Sequence, residues 1–326
     1  MKQGNSSIIR EGLLESPLKR RSFLRAIDFL NLSYVALIGF LILIFHKHQE
    51  KWVFYFLMHV VLFFTQLGFY RLTAFSTRRF WRFMRDLITP LLLIYYYEET
   101  EALNHMIVPR FLDPFFAGME ERIWGCQPSL EFVKWIPHPL FSEYMHFSYF
   151  SYYLLIPGLG IPLWFKRRHD EYDTFIYKCL LNMAFCFIFF IFVPCAGPWQ
   201  YFADQTIRWK FPGYLFVKTM EIILKFGEIA NGAFPSSHVA MATVILFCAW
   251  GYHRTIFWIM LPMVISLFAS TVYTQSHYLI DVPSGFAVGV FFFYTGNKVK
   301  QWMERIFHLR LSDNEVEGHR ETVLHP

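Results

Sequence analysis

Eight stretches of this chain run for about 16–22 residues with little charge, which fixes the solvent the fold must live in. They lie near 28–46, 52–70, 80–97, 143–164, 175–193, 237–252, 256–273 and 278–297. An α-helix needs about 20 apolar residues to cross a bilayer core. Lipid offers no partner to an open backbone, so only helices or closed barrels cross it. The third stretch carries the weakest signal, because Arg82, Arg85, Asp86 and Pro90 leave only a short apolar core. Composition points the same way: 55% of residues are hydrophobic, 21% aromatic and 17% charged, against about a quarter charged in a soluble domain. The expectation is an all-α, polytopic membrane helical bundle with about eight transmembrane helices.

Charge supplies an orientation. With the N-terminus in the cytosol, 21 of the 30 Lys and Arg fall on the inner side, including "KRRSFLR", "STRRFWRFMR" and "WFKRRH", as the positive-inside bias requires. The net charge of +5 then reflects topology and contact with anionic membrane lipids, and nucleic acid is not an expected partner. Residues 1–27 form a basic cytosolic segment, and the first apolar run is too long for a signal-peptide core and is expected to remain as an anchor. Residues 298–326 read as a cytosolic, solvated tail. Of the five cysteines, Cys126 and Cys195 fall in outer loops and could bond; no Cys-x-x-Cys signature suggests structural zinc.

Two polar clusters interrupt the apolar pattern. "FPSSH" (234–238) opens the sixth stretch, and "STVYTQSHYLIDVPSG" (270–285) brings His277 and Asp281 to the start of the eighth. The sixth helix descends, 252–254 turn tightly, and the seventh climbs back, so both clusters reach one outer membrane face. His238 and His277 can therefore meet although 39 positions separate them. Asp281, at i+4 from His277, can accept the ring N–H and fix the tautomer. The N-terminus of a helix offers bare amides and a positive dipole end, which suit phosphate. Ser236 and Ser237 can cap that helix and donate to phosphate oxygens. One imidazole attacking phosphorus and another protonating the leaving group is a complete apparatus for phosphoryl transfer. Gly285 and Gly289 read as close-packing positions, "YYYEE" (95–99) as an interfacial belt with a solvated acidic end, and Glu120 and Glu121 as solvated or structural. The aromatic segment 98–142 is expected to lie on the membrane surface and roof the site.

These residues resemble the type-2 phosphatidic acid phosphatase superfamily, whose second and third blocks are P-S-G-H and S-R-x5-H-x3-D. "PSSH" (235–238) is similar to the second, and "STVYTQSHYLID" (270–281) to the third, with His277 and Asp281 in register. "FPSSH", "HYLID" and "LDPFFAGMEERIWGCQP" (112–128) look most like the branch containing inositol phosphorylceramide synthases. The resemblance implies a six-helix phosphatase-like core within a catalytic domain at 87–297, preceded by N-terminal helices over 28–86. It also implies His277 as nucleophile, Asp281 as its orienting partner and His238 as general acid and base, with no metal or cofactor. Thr271 replaces the third-block arginine, and "FVPCAGPWQYF" (192–202) stands at the first block without a cation. Arg208, Lys210, Lys218 and Lys225 are the candidate replacements. The expected function is a lipid phosphate phosphatase or a head-group transferase to a lipid alcohol acceptor, with the site on the periplasmic or lumenal face. The alternative is a non-catalytic lipid-binding or transport member of the same fold.

Overall fold

The computed structural model describes residues 22–309 apart from 77, 208, 209, 228 and 230. Most of the 1–27 segment, the end of the 298–326 tail and Arg208 therefore lie outside the described residues. Among the described residues twelve α-helices run in order: α1 (Ala26–Ile44), α2 (Trp52–Thr73), α3 (Arg79–Leu103), α4 (Asp113–Trp124), α5 (Pro128–Trp135), α6 (Pro139–Phe165), α7 (His169–Phe192), α8 (Pro198–Tyr201), α9 (Leu215–Gly227), α10 (Ser237–Tyr252), α11 (Arg254–Tyr273) and α12 (Asp281–Ile306). No strand occurs among the described residues.

Each of the eight apolar stretches became a helix. Four of them, α1, α2, α7 and α11, are long and apolar enough to cross a membrane by length and composition, and α10 is a shorter apolar helix. Helix α2 leaves Val53, Leu57, Val61 and Phe64 exposed. Spaced at turns of a helix, they form the stripe that a lipid-facing helix presents.

Helix α10 stands at the centre, packed against α6, α7, α11 and α12. Among its buried residues Ala240, Ala242, Val244 and Ala249, all small or β-branched, are fully buried. Helices in lipid have little hydrophobic drive between them, and close approach through small residues and dispersion is what can hold such helices together. Gly285 and Gly289 of α12 fill that role. A Cβ on Gly285 would lie 2.4 Å from the Ser236 carbonyl, and one on Gly289 2.5 Å from that of Ala240. These two contacts set the height of α12 against the start of α10.

Only His253 separates α10 from α11. The Arg168 guanidinium donates to the Tyr252 carbonyl at 2.6 Å there, which makes the tight turn the sequence requires. At the same end, Arg25 binds Asp86 (2.7 Å) and Asp173 (3.5 Å), Arg85 pairs with Asp28, and Lys300 binds Asp173 (3.1 Å). This buried network ties α1 and α3 to α7 and α12.

Candidate active site

The site lies at the other end of α10. Ser236 is the N-cap, its Oγ accepting the Val239 N–H at 3.3 Å. The helical ladder starts with the Ala240 N–H on the Ser236 carbonyl, so the amides of Ser237 and His238 come before it. On the other side, α11 ends at Tyr273 and α12 begins at Asp281. His277 thus sits in the intervening turn, not on the eighth helix; the i, i+4 relation to Asp281 spans a turn and a helix start. The turn is held in place locally. The Thr271 carbonyl accepts the N–H groups of both Ser276 and His277 at 3.1 Å. Gln275 adopts φ +63°, a left-handed conformation that costs a non-glycine residue about 1–2 kcal/mol. Its side chain accepts the Ile207 N–H at 3.2 Å and donates to the Ser129 carbonyl at 3.4 Å.

The two imidazoles meet. His238 Nδ1 lies 3.2 Å from His277 Nε2, and His277 Nδ1 lies 2.7 Å from the Ala233 carbonyl. A carbonyl only accepts, so His277 Nδ1 carries the proton and Nε2 presents its lone pair. His238 Nδ1–H then donates to that lone pair, leaving His238 Nε2 to accept from the Tyr149 hydroxyl at 3.3 Å. One neutral chain, Tyr149 to His238 to His277 to Ala233, satisfies every ring nitrogen. Asp281 Oδ2 lies 3.4 Å from His277 Nδ1 and accepts the Tyr278 N–H at 2.7 Å. The nearer acceptor of the His277 ring proton is therefore the Ala233 carbonyl, with Asp281 behind it. Asp281 Oδ1 is buried without a hydrogen-bond partner.

A narrow cavity opens over these rings, lined by Tyr97, Asn231, Ser237, His238, Ser276 and His277 with Ala196, Ile229, Gly232 and Ala233. The two serines thus differ: Ser237 faces the cavity, while Ser236 spends its acceptor on the cap. None of the described lysines or arginines lines the space, and Lys210, Lys218 and Lys225 stand outside it. Thr271, at the third-block arginine position, turns its hydroxyl to the Phe268 carbonyl of its own helix.

Several contributors lay hidden in apolar sequence. Tyr149 and Tyr152 of α6 flank His238, with ring centroids at 5.1 and 4.5 Å; their i, i+3 spacing within "YFSYY" was the available signal. Of the acidic end of "YYYEE", Glu98 is exposed as expected but Glu99 faces inwards, and Tyr97 lines the cavity. Glu99 is buried, accepts the Tyr95 hydroxyl at 2.8 Å and pairs with His59 at 3.4 Å. Segment 98–142 also departs from expectation, since none of its described residues lines the cavity. Helix α4 packs instead behind the His277 turn, and there Glu120 is buried while Glu121 is exposed. Cys126 and Cys195 are both free thiols; Cys195 is buried with its Sγ 3.6 Å from Asp113, and burial pushes that thiol's pKa up.

A family model for the PAP2 superfamily matches residues 120–295, more than half of the chain. The chain belongs to the PAP2 superfamily. No curated protein and no solved structure matches it. The PAP2 match contains His238, His277 and Asp281 but stops short of Tyr97 and Asp113, so part of the cavity wall and of its support comes from outside the matched region. Members of the PAP2 superfamily are typically phosphatases, and membership points to phosphatase or phosphotransferase activity on lipid phosphates.

Proposed function

We propose that this PAP2 protein is an integral membrane enzyme that transfers phosphoryl groups from lipid phosphates or phosphodiesters through a phosphohistidine on His277. The observation that carries the reading is the 3.2 Å approach of two imidazoles at a helix start, with His277 Nε2 aimed at its neighbour. An entering phosphoryl group takes the place of the ring-to-ring hydrogen bond. The Nε2 lone pair bonds to phosphorus as the bond to the leaving alcohol breaks. His238, neutral in the empty site, takes a second proton from solvent on Nε2 as the anionic substrate binds; it then gives its Nδ1 proton to the departing oxygen and keeps the Nε2 proton towards Tyr149. In the second step His238 Nδ1 takes a proton from water or from an acceptor hydroxyl, whose oxygen bonds to phosphorus as the P–N bond breaks. Asp281 orients His277. The amides of Ser237 and His238, with the hydroxyl of Ser237, supply donors to the phosphoryl oxygens. The scheme asks for no metal.

The lining of the cavity bears on substrate class. Neutral donors and imidazoles, without a lysine or arginine among the described residues, suit a singly charged phosphodiester better than a doubly charged monoester. This agrees with the resemblance to the inositol phosphorylceramide synthase branch and favours head-group transfer to a lipid alcohol. The eight helices matching apolar stretches are read as eight spans, with both termini cytosolic and the site on the outer or lumenal face. Incubation of the purified protein with labelled phosphatidic acid and phosphatidylinositol, with and without ceramide, tests the reading. A new ceramide-dependent phospholipid supports transfer and release of free phosphate supports hydrolysis. A folded protein that binds lipid and turns over neither substrate would point to the non-catalytic alternative.

A further inference from the structure

Helix α4 carries two buried carboxylates that the scheme above does not use. Asp113 and Glu120 stand seven residues apart, with Phe116 and Ala117 between them, and all four are buried. Both carboxylates are completely inaccessible. In an apolar setting each must justify its burial with partners, and those partners lie next to the imidazoles. Asp113 Oδ2 accepts the Ala196 N–H at 2.8 Å, and its Oδ1 accepts the Gly197 N–H at 2.8 Å and the Tyr278 hydroxyl at 3.0 Å. Glu120 Oε1 accepts the Ile280 N–H at 3.1 Å. Phe116, between them, packs on Phe234 at 4.5 Å and on Tyr278 at 6.3 Å. One face of α4 therefore grips the segment leading into α10 and the 277–281 turn, the two pieces that bear His238 and His277. Gly197, fixed by Asp113, lies so close to this turn that a Cβ there would come 2.7 Å from the Ser276 carbonyl.

We infer that Asp113 and Glu120 are positioning residues, which set the register between the His277 ring and His238 by holding the 277–281 turn from behind. The inference rests on the phosphoryl-transfer reading of the same imidazoles. Together with Asp281, three carboxylates bind backbone or side-chain donors of a five-residue turn, and two of their oxygens, Glu120 Oε2 and Asp281 Oδ1, are buried without hydrogen-bond partners. Burial, and then the nearby Asp281, raise the Glu120 pKa from 4.5 to about 7, so a glutamine is a close mimic of its protonated form. Displacing a nucleophile by about 1 Å can cost on the order of 100-fold in rate, whereas the phosphate-binding donors on α10 stay where they are.

The test is kinetic, on the full chain in detergent, with whichever of labelled phosphatidic acid or phosphatidylinositol turns over. Glu120→Ala and Asp113→Asn should lower kcat by about tenfold or more with KM within about twofold. Glu120→Gln should recover most of that loss and alter the pH profile of kcat near neutrality. Each variant's thermal midpoint reports its folded fraction, and if Asp113→Asn does not fold, the Glu120 pair alone decides. Folded Glu120→Ala with wild-type kcat, or kcat falling only in proportion to folded protein, overturns the inference. His277→Ala separates the two levels. If it is inactive while the α4 variants keep full kcat, only the positioning role falls; if it retains activity, the phosphohistidine reading falls first.

Discussion

The two ends of α7 and α12 bury polar groups in opposite ways. Near Asp173 and Lys300, carboxylates meet guanidinium and ammonium groups, and the charges cancel in pairs. Some 19 residues along α12, or about 28 Å of helix, Asp281, Asp113 and Glu120 meet backbone N–H groups, a tyrosine hydroxyl and an imidazole instead. The first arrangement pairs charge with charge, which ties helices together. In the second, the carboxylates orient backbone and ring, and the imidazoles and helix-start amides remain for an anion. Buried charge therefore marks architecture at one end and chemistry at the other.

The largest effect expected from breaking this contrast comes from His277. Its replacement by Ala should reduce turnover on the order of a thousandfold or more and abolish vanadate binding, while the melting temperature stays near that of the wild type. At the charge-paired end the outcome inverts. Arg85→Ala leaves Asp28 only its contacts with Arg25, the ion pair at 3.4 Å and the N–H at 2.9 Å, and should destabilise the protein by about 1.5–3 kcal/mol, seen as a lower thermal midpoint, with KM of the surviving folded protein unchanged.

Gly285 connects the two behaviours. A methyl group there meets the Ser236 carbonyl at 2.4 Å, so Gly285→Ala must push α12 from the start of α10. A cost of about 1–3 kcal/mol and a loss of activity larger than the loss of folded protein are expected from parallel melting and rate measurements.

The smallest effect is a pH dependence. Glu120 holds its proton up to about pH 7 in the folded state, against an ordinary value of 4.5. Between these values the unfolded chain has released a proton that the folded chain keeps, so stability falls as pH rises from 4.5 towards 7. Melting temperatures across that window should decline in the wild type and decline less in Glu120→Gln.

Legibility in the sequence followed the physics of each feature. Apolar length is a property of contiguous residues, and the sixth stretch, 237–252, coincides with α10. The convergence of His238 and His277 followed from two antiparallel helices of similar length joined by a short turn. The start of the last helix was placed three residues early, because Tyr278, Leu279 and Ile280 are as apolar as the span they precede. The positions of Asp113 and Glu120 behind the His277 turn were not legible, because their partners are backbone amides at residues 196, 197 and 280 and the hydroxyl of Tyr278. The stripe Asp113, Phe116, Ala117, Glu120 was visible as one helix face, but nothing in one chain says what such a face meets. Glu143 is similar: its carboxylate accepts the Phe216 N–H at 2.8 Å and the Val217 N–H at 3.3 Å, anchoring α9 across more than 70 residues of sequence.

The central claim is that phosphorus bonds to His277, and acid-free quenching of the working enzyme tests it most directly. With substrate labelled at phosphorus, the account expects an acid-labile, base-stable label on the peptide containing His277, absent from His277→Ala and consumed on addition of acceptor. Steady turnover with no label on that peptide, or a labelled and active His277→Ala protein, would contradict it.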